Sequence, residues 1–144
     1  MKPGGTPIGL QLANTAKAVS RAFNDRLLEA GGSVPTWLIL NSLKAGERRT
    51  QLELARAVGI EGPTLTRHLD GLEDDGLVRR VRGGADRRAV RVEVTAEGER
   101  LFRRLLQAVI AFNRDLTDGL ADAELARLRK TLARLEQNVG HSYT

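Results

Sequence analysis

Leu77 to Val94 reads LVRRVRGGADRRAVRVEV, and this stretch constrains the fold more than any other in the chain. Val90, Val92 and Val94 alternate with Ala89, Arg91 and Glu93, the two-residue period of a strand with one buried face. A second short strand precedes it with a less regular alternation, and Gly83-Gly84 between them suits a hairpin tip. Between Leu77 and Val92 it holds Arg79, Arg80, Arg82, Arg87, Arg88 and Arg91 against one acid, Asp86. The chain has 23 basic and 18 acidic residues, so outside those sixteen residues 17 of each remain and the formal net charge of +5 resides within them. Charge segregated that sharply suits a finger that neutralises phosphates, because counterion release rewards clustered arginine.

The rest of the chain reads as helix. From Ile8 to Ala30 the apolar positions Leu12, Ala16, Val19, Phe23 and Leu27 advance by fours and threes, one stripe along one face. Ser33 and Pro35 open a second helix to Leu43, carrying Trp37, Leu38, Leu40 and Leu43. Thr50 opens a third with a capping box: its hydroxyl accepts from the Glu53 amide, and the Glu53 side chain reaches back to the Thr50 amide. Leu52, Ala55 and Val58 are expected to line its inner face, and Gly59 ends it. Gly62-Pro63 starts a fourth helix to about Asp75, with Leu65, Leu69 and Leu72 inward, Thr64, Arg67, His68 and Gly71 outward, and Gly76 as its cap. After the hairpin, Thr95 caps a fifth helix to about Leu116 that is apolar on more than one face. A sixth, Ala121 to about Val139, spaces Leu125, Leu128, Leu132, Leu135 and Val139 by threes and fours, a seam for helix packing.

Several function classes drop out. There is no cysteine, and His68 and His141 lie far apart, so neither a disulfide nor a protein-only zinc site is expected. The chain shows no Ser-His-Asp spacing, no HExxH and no glycine-rich phosphate loop, so neither catalysis nor a cofactor or metal is expected. No apolar run approaches the ~20 residues that span a bilayer. The first residues lack the apolar core of a signal peptide, so a cytoplasmic protein without membrane contact is expected.

Two helices joined by a tight glycine-containing turn, followed at once by a basic hairpin, make a winged helix-turn-helix. On the fourth helix, Arg67 can donate two hydrogen bonds to a guanine edge and Thr64 can meet bases or phosphates; the plainer reading is a solvated face. At the hairpin tip, Asp86 accepts from a neighbouring guanidinium and shapes the turn, or is a generic turn aspartate. Arg87 and Arg88 enter a narrow minor groove or sit on phosphates, while Arg79, Arg80, Arg82 and Arg91 form a phosphate-facing or solvated set. The terminal helices carry more apolar surface than a winged lobe can cover. They suit a two-fold homodimer that reads the two halves of a palindrome, with an intramolecular core as the alternative.

Gln51 to Gly98, QLELARAVGIEGPTLTRHLDGLEDDGLVRRVRGGADRRAVRVEVTAEG, resembles the core of MarR-family transcriptional regulators, nearest the SlyA-like branch. The residues that carry the likeness are ELA at Glu53 to Ala55, the run Pro63-Thr64-Leu65-Thr66-Arg67, LDGLEDDGLVRR, DRRA at Asp86 to Ala89, and Thr95-Ala-Glu-Gly98. The resemblance implies a mainly α (α+β) fold, a winged helix-turn-helix with a two-stranded wing and N- and C-terminal helices forming a dimerisation region. The expected organisation is one domain over 1–144, a DNA-binding lobe over 35–95, and dimerisation helices over 8–30 and 96–140. It also implies a homodimeric repressor on a pseudo-palindromic duplex, with Pro63, Thr64 and Arg67 near bases, Arg87 and Arg88 in the minor groove and Asp86 as their acid partner; Thr66, His68 and Arg82 complete the expected DNA-binding set. A small aromatic or phenolic anion near Trp37 is expected to release it, although packing alone also explains that tryptophan. Two positions depart from the family pattern: Gly62 stands where glutamine is common, and Ala121 where a serine or threonine cap usually opens the last helix. Two other functions stay open, a winged-helix module for protein contacts and an architectural DNA binder without sequence preference.

Overall fold

The computed structural model describes residues 4–46, 50–83 and 89–140. Among them the element order is α1 (Ile8–Glu29), α2 (Val34–Ala45), α3 (Gln51–Val58), α4 (Gly62–Asp74), β1 (Val78–Arg82), β2 (Val90–Val94), α5 (Ala96–Leu116) and α6 (Asp122–Val139). The chain divides into two compact units, Met1–Ile110 and Ala111–Thr144, with the boundary inside α5.

In the first unit α2 is the centre, apolar on most sides and packed against α1, α3, α4 and β2. Ser33 caps it, its hydroxyl accepting from the Thr36 amide at 3.2 Å, with a proline in the first turn. Around Trp37, Ile39, Leu40 and Leu43 gather Leu54 from α3, Leu65, Leu69 and Leu72 from α4, and Val78 and Val92 from the hairpin. Leu27 of α1 and Leu101, Phe102 and Leu105 of α5 belong to the same core. Each fully buried leucine contributes about 1.5–3 kcal/mol from area removed from water.

Two local expectations change. On α3 the core residue is Leu54, with no exposure, and Leu52 is 62% exposed. Steps of three fall about 60° short of a full turn, so a 52-55-58 stripe drifts around the helix; the packed face centres on Leu54, Ala55 and Val58 instead. At Thr50 the hydroxyl accepts from the Glu53 amide at 3.1 Å as expected. The Glu53 carboxylate then accepts the Thr50 hydroxyl proton at 2.9 Å, where the sequence had it reach the Thr50 amide.

α4 passes into the hairpin through a tight glycine turn. Gly76 adopts φ +74°, its amide donates to Glu73 O at 2.9 Å, and the Leu77 amide donates to Leu72 O at 2.9 Å. This Schellman pair satisfies the last carbonyls of α4 and fixes the direction in which β1 leaves. β1 and β2 are antiparallel with Val78 opposite Val94, Arg80 opposite Val92 and Arg82 opposite Val90. Thr50 forms an isolated bridge with Arg91, which ties the start of α3 to β2. Thr95 caps α5 as expected: its hydroxyl accepts from the Gly98 amide at 3.1 Å and donates to Gly76 O at 2.6 Å.

α1 and α6 are less covered. Leu27 is buried and Phe23 half-buried, but Ile8, Leu10 and Leu12 at the other end of α1 are exposed. In the second unit no residue of α6 is buried, and Leu128, Leu132 and Val139 are exposed. Ala121 has no side-chain acceptor, so its helix start keeps half a capping box, the Ala121 amide donating to Glu124 Oε1 at 3.2 Å. Among the described residues no helix is long and apolar enough to cross a membrane.

Candidate nucleic-acid interface

α3, the Gly59 turn and α4 form the helix-turn-helix, and the face of α4 away from the core is set by its leucines. Leu65 and Leu69 are fully buried, so Arg67, two residues from each, projects on the opposite side and is exposed. Pro63 in the first turn is exposed as well, and Thr64 and His68 are half-buried on the flanks. The guanidinium of Arg67 thus stands at the centre of the outward face, with room for a fork-shaped contact to a base edge.

Thr66 behaves differently from the residues around it. Its hydroxyl donates to Gly62 O at 2.9 Å and accepts from Gln51 Nε2 at 2.7 Å. The Gln51 bond ties the first turn of α3 to α4, so this hydroxyl serves the helix pair. What Thr66 keeps for a base is its methyl group, suited to apolar contact with a thymine methyl.

The register gives each hairpin arginine its side. Val92 is buried, so Arg80 opposite it lies on the core face of the hairpin, as does Arg82 opposite Val90; Arg79 and Val81 lie on the outer face. Arg79 pairs with Glu93 across the strands at 3.6 Å. Arg80 turns toward α4, where its guanidinium bonds the Asp70 carboxylate and, at 3.2 Å, Glu73 Oε1. Its backbone amide donates to Glu73 Oε2 at 2.9 Å. That amide bond, followed by the bond from the guanidinium, holds the Glu73 carboxyl below its ordinary pKa. Arg80 therefore leaves the phosphate-facing or solvated set in which the sequence placed it. Arg82 is exposed and lines an open cleft of about 320 Å³ with Gln51, Glu73, Arg80 and Val90. Asp86, Arg87 and Arg88, expected at the tip, lie outside the described residues.

Trp37 is 9% exposed and stacks on Phe102, ring centroids 5.7 Å apart and planes 3° from parallel. Lys44 Nζ stands 5.9 Å from the Phe102 ring centre and bonds Glu99 Oε1 at 2.8 Å. The indole is thus packed against the protein's own aromatic. Among the described residues no cluster of His, Asp and Glu has the arrangement to hold a metal ion.

Sequence reasoning missed Gln51 and the Asp70–Glu73–Arg80 cluster. A signal for the second existed: Arg80 shares strand parity with Val78, and Asp70 and Glu73 are one helical turn apart on α4. For Gln51 no sequence signal points to Thr66.

Residues 31–89 match the model of the MarR family. The chain is 36% identical to the solved transcriptional regulator PA3341, with 94% of this chain and 99% of that one covered and a TM-score of 0.75. It is 26% identical to a mutant MarR from E. coli solved in complex with operator DNA, covering 90% and 93% of the two chains at a TM-score of 0.79. It is 28% identical to the transcriptional repressor CouR bound to a 23-mer DNA duplex, covering 90% and 92% at a TM-score of 0.80.

Proposed function

This chain belongs to the MarR family of DNA-binding transcriptional regulators, and on that premise we propose that it is a homodimeric repressor of a pseudo-palindromic operator. One observation carries the reading: Arg67 projects from the exposed face of α4, and α4 runs through the Gly76 turn directly into the basic hairpin. A helix in the major groove and a wing over the adjacent backbone or minor groove are what that connection can deliver. Arg67 reads a base edge, Pro63, Thr64, Thr66 and His68 border it, and Arg82 with Arg87 and Arg88 meets phosphate or the minor groove, Asp86 shaping the tip. The uncovered Leu128, Leu132 and Val139 of α6 and Ile8 and Leu12 of α1 supply apolar surface for a second copy.

The test is binding to a duplex from upstream of the chain's own gene against a random duplex, over a salt series. Specific binding is expected to be about 10³-fold tighter or more than random binding at physiological salt. Arg67→Ala is expected to relax sequence preference by about 1–3 kcal/mol at one base pair, with far-UV circular dichroism unchanged. Equal affinity for both duplexes leaves the architectural reading, and no DNA binding leaves the protein-contact module. Sedimentation at micromolar concentration is expected to show a dimer that Leu132→Glu dissociates, and a wild-type monomer rejects the homodimer.

Release by a small aromatic or phenolic anion completes the proposal. Such a ligand acts only through different affinities for the DNA-competent and incompetent states. Titration with salicylate is expected to change both Trp37 fluorescence and operator affinity; constancy of both removes this part.

A further inference from the structure

α4 is a helix proposed to meet phosphates, yet its second half carries three carboxylates, Asp70, Glu73 and Asp74, that a phosphate repels. Asp70 and Glu73 are one turn apart, and both are spent on Arg80. Glu73 uses both oxygens, one on the Arg80 amide and one on its guanidinium. The Arg80 side chain is 21% exposed, far less than the 68% of its neighbour Arg79. Three bonds from one residue of β1 to two residues of α4 act as a lever stop. A rotation of the hairpin about the Gly76 turn has to break them together. An isolated surface ion pair contributes little to stability, but one guanidinium nitrogen, Nη2, shared between two acids, together with a backbone amide bond to one of them, fixes direction.

From this we infer that Arg80 is a positioning residue, held by Asp70 and Glu73, that sets the angle between α4 and the wing so that both reach DNA at once. The inference rests on the DNA-binding reading above. It assigns Arg80 a role different from phosphate contact, and the two roles differ in sign for the acids. Removing either carboxylate makes the protein more positive, so if charge alone counts, Glu73→Ala and Asp70→Ala bind DNA more tightly. If the acids hold Arg80 in place, the same variants bind more weakly, because a wing anchored only through Val78, Val92 and the Thr50–Arg91 bridge holds its angle to α4 less tightly and reaches fewer phosphates.

The experiment combines hydroxyl-radical footprinting and a salt series on the operator for the wild type, Glu73→Ala and Arg80→Lys. For Glu73→Ala the salt slope is expected to fall by about one to two units and affinity by about tenfold, with protection lost under the wing and kept under α4. Arg80→Lys keeps the charge, but its ammonium stops one atom short of the position of Nη2, the nitrogen that bonds both carboxylates, so it is expected to share the defect. Hydrogen exchange without DNA is expected to quicken in residues 78–82 of Glu73→Ala while α2 stays protected. Tighter or unchanged binding by Glu73→Ala, or full activity of Arg80→Lys, overturns the positioning role alone. A wild-type chain that leaves no footprint overturns the DNA-binding reading and this one with it.

Discussion

Gly98→Ala sets two physical effects of opposite sign against each other. Gly98 lies in the first turn of α5, and alanine in a helix is favoured over glycine by up to ~1 kcal/mol. Propensity therefore predicts a stabilised protein. The tertiary structure predicts the reverse, since a Cβ there would stand 2.1 Å from Leu77 O and 2.8 Å from Val94 Cγ1. The nearer atom is backbone, and it already accepts from the Thr95 amide at 3.1 Å. Relief requires the start of α5 to move off Leu77, stretching that bond, a net loss of about 0.5–1.5 kcal/mol. It also disturbs the Thr95 cap, and overpacking typically costs about 1–3 kcal/mol. The net expectation is a loss of about 1–3 kcal/mol after the propensity gain. Urea unfolding followed by circular dichroism reads this as a lower midpoint at constant m. Gly71→Ala is the matched control: Gly71 is inside α4, has no atom within 4 Å of its would-be Cβ, and should gain up to ~1 kcal/mol. If Gly98→Ala stabilises as Gly71→Ala does, the close approach of α5 to Leu77 is wrong.

Other expectations follow from the same packing. Leu54→Ala should cost about 2–5 kcal/mol and Leu52→Ala less than about 0.5 kcal/mol in chemical denaturation; equal costs would refute the rotation of α3 described above. Thr95→Ala removes both the cap to Gly98 and the bond to Gly76 O, and should lower stability by about 1–2 kcal/mol in the same assay. The Glu73 carboxyl, facing Arg80 and Asp70, titrates below its ordinary value of 4.5 because it accepts from Arg80. A depressed folded pKa means its hold on the hairpin is complete above about pH 4.5 and is lost as pH falls through the lower folded value. Hydrogen exchange of residues 78–82, corrected for intrinsic rates, should therefore rise on acidification in the wild type and stay flat in Glu73→Gln; parallel profiles would reject the coupling.

The sequence by itself determined the elements and their order. Stripes such as Leu65-Leu69-Leu72, caps such as Ser33 and Thr95, the stop at Gly76 and the two-residue period of Val90-Val92-Val94 are local signals. Each depends on a few neighbours along the chain, and so each is legible without the fold. The outward position of Arg67 follows from that helical period, which is why the centre of the proposed DNA-reading face was also legible. The tertiary structure decided what depends on partners distant in sequence. Leu54 rather than Leu52 faces the core because α2 packs on that side of α3, and an eight-residue helix carries too short a stripe to fix its own rotation. Thr66 spends its hydroxyl on Gln51 because α3 and α4 meet there. The charge cluster divided for the same reason. Six arginines look equivalent in a sequence, but strand register turns Arg80 inward to two carboxylates of α4 and sets Arg79 against Glu93. Composition located the positive charge; register and helix packing decided how much of it faces an external phosphate.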